Sequence, residues 1–285
     1  MLSRNYPKEG NVVSTTISKP RAKKSPPISV EVTLADFDTN EPFRVVRDGV
    51  PISEFTPLTL ADYAPRGGTP LRDATAKFIA HLAGRAKEGT VTIGLLLDRS
   101  GSMGGNESSV VAGVNEFVGS IAGVSKVDPA TSGKVLAVIL TDGQENSSHE
   151  VDAGTLAASV AEREKQGWTF IYLGANQDAW ATGQSFGLSG TASGQTYNYT
   201  SSPMGVRGAM GSAGVSASSF VTDSAAYLST AGASPQGTIL EDGTLVGANT
   251  PSSPPPAPIT PPVPVGSKYD PKQDIKSATK WMTGS

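Results

Sequence analysis

The sequence predicts an open, doubly wound α/β fold with a mostly parallel sheet, its ligand-binding edge at the carboxyl ends of the central strands. Three observations carry this expectation. Residues 91–97 form a near-continuous apolar run that ends in Asp98 and the polar loop Arg99-Ser100-Gly101-Ser102. Residues 135–140 repeat the pattern and end in Thr141-Asp142-Gly143. A third run, 168–173, follows a stretch with apolar residues at helical spacing, so strands alternate with helices, the order of a parallel sheet.

Each element can be justified in turn. Residues 1–27 carry Arg4, Lys8, Lys19, Arg21, Lys23 and Lys24 with four prolines and few apolar anchors, which suits an extended basic arm. Ile28, Val30, Val32 and Leu34 alternate with polar residues and, with 43–47 beyond a turn at 38–42, predict a hairpin over 28–47. Turn chemistry accounts for Asp36 and Asp38. The proline-bearing loop 49–68 is expected to wrap on the surface as it leads to Arg66-Gly67-Gly68-Thr69. Leu71, Ala74, Phe78, Ile79 and Leu82 then mark a helix that stops near Gly84, with His81 at its surface or boundary.

Val110, Val114, Phe117, Val118 and Ile121 predict a second helix between Asn106 and Gly123. If the strands ending in Asp98 and Asp142 are parallel neighbours, this helix is their crossover, and crossovers are right-handed in about 98% of cases. The 106–122 helix should therefore share a face of the sheet with the next one, 153–165, which Asp152 caps and Gly167 ends. Asn176, Gln177 and Asp178 stand where they would cap a helix starting near Ala179.

From 188 the composition shifts to Ala, Ser, Gly and Thr. Ser202-Pro203 can open a helix, but Gly205, Gly208, Gly211 and Gly214 predict a loosely packed helix or extended arm. Residues 238–246 suggest a small hairpin with an Asp242-Gly243 turn, which must dock on something to persist. Residues 251–264 are a proline-rich spacer, and 275–282 an amphipathic peptide at its end. Four regions result: a basic arm 1–27, an α/β domain 28–187, an Ala/Ser/Gly-rich extension with a hairpin 188–250, and a spacer with terminal peptide 251–285.

Asp98, Ser100 and Ser102, spaced two apart after a strand, can turn one carboxylate and two hydroxyls inward together. Thr69, after two glycines that permit close backbone approach, offers a third hydroxyl, and Asp142 a second acid. Such hard oxygens suit Mg²⁺, Mn²⁺ or Ca²⁺ and offer nothing to a thiophilic metal. The competing interpretation has Asp98 and Thr69 as helix starts and the serines satisfying loop amides.

With these three stretches the sequence resembles a von Willebrand factor A-type domain carrying a metal-ion-dependent adhesion site, in its bacterial and phage branch and with a Rossmann-like sheet. The resemblance covers roughly 28–187 and includes Phe37-Asp38-Thr39, the phrase from Gly167 to Asn176, and Asp178-Ala179-Trp180. It implies that Asp98, Ser100, Ser102, Thr69 and Asp142 share one divalent ion. The element order departs from the family's, in which the Asp-x-Ser-x-Ser strand precedes the hairpin and threonine loop. In that usual order the helix after the metal loop lies on the face opposite the one expected here for 106–122.

Composition narrows the function further. The formal net charge of -3 argues against nucleic acid, and the lack of cysteine excludes thiolate metal sites and disulfides. No run reaches the ~18 apolar residues of a membrane span, and the N-terminus lacks a signal-peptide core. Gly183-Gln184-Ser185-Phe186-Gly187 matches a hydrolase elbow, but His81 and His149 both precede the serine, whereas that fold needs its histidine after it. No phosphate-binding loop is present, and no catalytic residue is assigned.

The expectation is a non-enzymatic, metal-dependent interaction module. A protein partner would supply an Asp or Glu to the cation, and the terminal arms would lie on neighbouring subunits. By the resemblance it would be a virion component of a phage. A cytosolic bacterial adaptor is the alternative, and a metal-assisted hydrolase the third reading.

Overall fold

A computed structural model describes residues 27–175, 179–187, 194–233 and 236–246 of the 285. The N-terminal arm, the Asn176–Asp178 trio, the proline-rich spacer and the terminal peptide lie outside the described residues.

The described residues form an open α/β fold around one eight-stranded sheet, ordered β2-β1-β3-β4-β5-β6-β7-β8. Strands β1 (Ser29–Phe37) and β2 (Arg44–Pro51) make the expected hairpin, antiparallel at one edge. Strands β3 (Thr90–Asp98), β4 (Val135–Thr141), β5 (Thr169–Ala175), β6 (Gly194–Tyr199) and β7 (Gln236–Ile239) follow β1 in parallel, and β8 (Leu245–Val246) closes the other edge antiparallel to β7. Every residue of β3, β4 and β5 is buried. Their Val-, Ile- and Leu-rich composition follows from cover on both faces, which removes the polar alternation of a half-exposed strand.

Helices α1 (Leu71–Ala83), α3 (Ala153–Lys165) and α4 (Ala179–Ser185) seal one face through Phe78, Ile79, Leu82, Leu156, Val160 and Phe186. Helices α2 (Glu107–Ala122), α5 (Pro203–Thr222) and α6 (Ser224–Ala233) seal the other through Val114, Phe117, Ile121, Ala213, Phe220 and Tyr227.

The face of α2 is a correction. β3 and β4 are parallel neighbours as expected, yet α2 lies opposite α3, so their two crossovers, which step the same way across the sheet, have opposite hands. Thr92, whose side chain alternates with Val91 and Ile93 onto the α3 face, donates its N–H toward β4 at Lys134 O, 3.0 Å. For an L-residue this sets β4 to the right of β3 when that face is viewed with the strands pointing up. Connections there, through α3 and α4, are right-handed, and those on the other face, through α2 and through α5 and α6, are left-handed. The handedness preference reflects tight connections that follow strand twist. Here residues 123–134, with a short 3-10 turn at Pro129–Thr131, give α2 room to pack where its apolar stripe finds α5.

Residues 194–246, read from the sequence as an extension, add three strands and two helices to the same sheet. Of the four glycines that predict a loose helix, Gly205, Gly208 and Gly214 are instead points of close approach. A Cβ on Gly208 would stand 2.7 Å from Leu240 O and 2.9 Å from Glu241 O, and one on Gly214 would stand 3.1 Å from the α2 backbone at Phe117. The hairpin that the sequence places at 238–246 docks through β7 onto β6 and against this glycine face.

The 49–68 loop is also anchored more deeply than expected. Leu58 exchanges backbone hydrogen bonds with the Asn115 amide of α2, 2.8 and 3.1 Å, and Tyr63 is buried beneath the β3 loop.

Gly208→Ala should therefore destabilise the protein by about 1–3 kcal/mol, because the obstructing atoms are backbone. Gly211→Ala, three residues on with open space around its Cβ, should stabilise it by roughly 0.5–1 kcal/mol. Urea denaturation of the pair checks both signs, and equal effects would show that α5 is not packed as described.

Candidate metal centre

Register brings the polar loops to one rim. Phe37 aligns with Asp98 across β1 and β3, and Leu97 with Leu140 across β3 and β4, so the loops after β3 and β4 emerge side by side. Asp98 is fully buried at this rim. Its Oδ1 accepts the N–H of Ser100 at 2.7 Å and its Oδ2 the hydroxyl of Thr141 at 2.5 Å. Ser100 and Ser102 are joined through their hydroxyls at 2.9 Å, and Ser102 donates to Asp142 Oδ1 at 2.7 Å.

Thr69 arrives from the other side. Its N–H is held by Asn146 Oδ1 at 2.9 Å, and its loop bonds to the β3 loop through Arg66 N–H to Arg99 O, 2.7 Å, and Gly101 N–H to Gly67 O, 2.9 Å. The side of Gly143 shows how the oxygens converge. A Cβ built there would lie 2.8 Å from Thr69 Oγ1, 3.4 Å from Ser102 Oγ and 3.5 Å from Asp98 Oδ2. One small volume is thus bounded by oxygens from two separate loops and by Gly143 of a third, and only glycine at 143 leaves it free. Ser102 is exposed while Asp98, Ser100, Thr69 and Asp142 are buried, so the volume opens to solvent on the Ser102 side.

All five residues singled out from the sequence, Asp98, Ser100, Ser102, Thr69 and Asp142, therefore stand together. Others went unnoticed. Thr141 bonds Asp98, and Ser201, from the β6–α5 connection, donates to Asp142 Oδ2 at 3.2 Å. Tyr63 donates its hydroxyl to Asp98 O, and Tyr199 to Thr141 O at 3.1 Å. Burial pushes both phenols well above their ordinary range, which keeps them neutral donors. The sequence held a cue only for Thr141, beside Asp142; the others come from strands and loops distant along the chain.

Charge defines what the arrangement can do. Among the described residues no Lys, Arg or His forms an ion pair with Asp98 or Asp142. Burial pushes the Asp98 carboxyl up to about 6, against lowering bonds from Thr141 and Ser100, with the Asp142 charge raising it further. Among those residues, too, no three His, Cys, Asp or Glu gather as a metal cluster. The rim has another composition, two acids with three hydroxyls, which suits a hard cation that keeps an open position. Asp36 and Asp38 point away from it, into ion pairs with Arg44, Arg66 and Arg99.

The chain matches no protein-family model, no curated protein and no solved structure.

Asp98 has a stability consequence with a definite sign. The unfolded chain releases this proton near 3.8 and the folded chain near 6, so stability falls as pH rises between those values and stays reduced above them. The full penalty is on the order of 3 kcal/mol, taking about 1.4 kcal/mol per unit. In chelator at pH 7.5, Asp98→Asn should stabilise the protein by about 1–3 kcal/mol, the gap closing toward pH 4. Urea denaturation across that window is the check, and a destabilised variant at pH 7.5 would contradict the electrostatic account.

Proposed function

We propose that this chain is a non-catalytic interaction module that holds a divalent cation at the β3–β4 rim and uses it to capture a carboxylate of a partner protein. The observation that carries the proposal is the oxygen-lined volume beside Gly143, where Thr69, Ser102 and Asp98 meet around space that any other residue at 143 would fill. Its two acids carry no balancing ion pair among the described residues. A divalent ion would match them charge for charge, and three neutral hydroxyls would leave it attractive to one further anion.

Each residue then has a defined task. Asp98 and Ser100 are pre-set by the 2.7 Å bond between them, and Ser102, the exposed member, faces the entering ligand. Asp142 holds Ser102 in place, and the Asn146 amide carries Thr69 to the site. The von Willebrand factor A-type resemblance belongs to the same proposal. It is supported by the placement of α2 on the face opposite α3, the arrangement that family's usual order implies.

Titration with Mg²⁺ tests this directly. At about ten times its dissociation constant the ion should add roughly 1.4 kcal/mol, which raises the melting temperature by about 3–6 °C for a domain of this size. Asp98→Ala should abolish the rise, and Thr69→Val, which removes one of three hydroxyls, should reduce it. Gly143→Ala should abolish it, by placing a methyl 2.8 Å from Thr69 Oγ1. With Mn²⁺ loaded, acetate should lower water-proton relaxation by taking the open position. A wild-type protein insensitive to Mg²⁺ and Mn²⁺ at millimolar concentration would reject the proposal.

A further inference from the structure

Three arginines and three acids at the β1 end of the rim take no part in the chemistry above. Arg99 sits in sequence between two of the candidate donors, Asp98 and Ser100, yet its side chain turns toward the hairpin and is only 3% exposed. Its guanidinium lies 2.8 Å from Asp38 Oδ2 and 2.8 Å from Glu41 Oε2, with Nε 3.4 Å from Asp36 Oδ1. Arg66, three residues before Thr69, reaches the same two oxygens: Nε is 2.9 Å from Asp38 Oδ2 and Nη2 is 2.7 Å from Glu41 Oε2. The arginine of the β3 loop and the arginine of the threonine loop thus share two carboxylate oxygens.

The chain between Arg66 and Thr69 explains why a shared anchor is needed. Gly67 has φ +68 and Gly68 follows it, a pair that admits many backbone paths. The positive φ of Gly67 demands glycine, and packing is close at both, a Cβ on Gly67 standing 2.4 Å from the side-chain Thr39 Oγ1 and one on Gly68 2.7 Å from the side-chain Ser147 Oγ. Freedom required for packing must then be removed by other means. The Arg66 pairs, the Arg66 N–H to Arg99 O bond and the Gly68 N–H to Thr39 Oγ1 bond at 3.0 Å remove it. Asp38 is itself fixed, its Oδ1 accepting the N–H groups of Asn40 at 2.6 Å and Glu41 at 2.8 Å.

We propose that this shared-carboxylate clamp sets the position of Thr69 over Asp98, which makes Arg66 a positioning residue for the cation site. The inference rests on the cation-binding proposal. Arg66 touches none of the candidate ligands; it acts by locking the loop that brings Thr69 to them. Three basic and three acidic groups balance within the clamp, so it adds no net charge to the rim.

A double-mutant cycle on Mg²⁺ affinity, measured calorimetrically on the full chain, tests the clamp. Arg66→Gln removes a positive charge near a cation site, so through-space electrostatics alone would tighten binding. Positioning predicts the opposite: a loss on the order of three- to ten-fold when Thr69 is present, as expected of coupled neighbours. In a Thr69→Val background, where no hydroxyl remains to be placed, Arg66→Gln should change affinity less than about two-fold. Glu41→Gln, a near-isosteric change at the half-exposed end of the clamp, should show the same dependence on Thr69.

Equal losses in both backgrounds, or tighter binding with Thr69 present, would overturn the clamp and leave cation binding standing. A wild-type chain that binds no Mg²⁺ would remove the cation proposal and this inference together.

Discussion

The burial of Asp98 is the constraint from which the rest of the rim follows. A carboxylate withdrawn from water at the mouth of a parallel sheet is held against its own desolvation. The chain answers locally with donors, the Thr141 hydroxyl and the Ser100 amide, rather than with a basic partner. The guanidinium of Arg99, the next residue in sequence, is directed to acids of the hairpin. Positive charge abundant within a few residues is thus spent elsewhere, and the pocket keeps its negative character. That negative character is what the proposed cation would neutralise.

Two connections of the fold, through α2 and through α5 and α6, run against the usual hand. The left-handed passage through α2 allows its apolar stripe to meet α5, and glycines on both helices let them close to contact. α5 begins directly after Ser201, which bonds Asp142, so the packing of the second helix layer and the geometry of the rim are joined through one short connection. Stability and site are therefore coupled, and the edge strands β6 to β8 are part of the same body.

The sequence was most informative where a single local pattern sufficed. The apolar runs of β3, β4 and β5 announced buried parallel strands, and the acids at the ends of β3 and β4 announced the rim. The hairpin, α1 and the Asp152 cap followed from periodicity and turn chemistry. What it could not express was choice among long-range alternatives. A helical stripe of Val114, Phe117 and Ile121 has no marker for which face it will cover, so a general preference of handedness decided wrongly. Glycines every third residue in α5 look like weakness until the backbone against them is known. Arg66 and Arg99 carry no motif, and their meaning appears only when Asp38 and Glu41 stand between them.

Crystals grown with Mn²⁺ and measured at a wavelength sensitive to its anomalous scattering test the central claim most directly. The account predicts one strong peak beside Gly143, at about 2.1–2.3 Å from oxygens of Ser100 and Ser102 and from Asp98 or Thr69 directly or through a water. Density at acidic surface patches with none at the rim would contradict it.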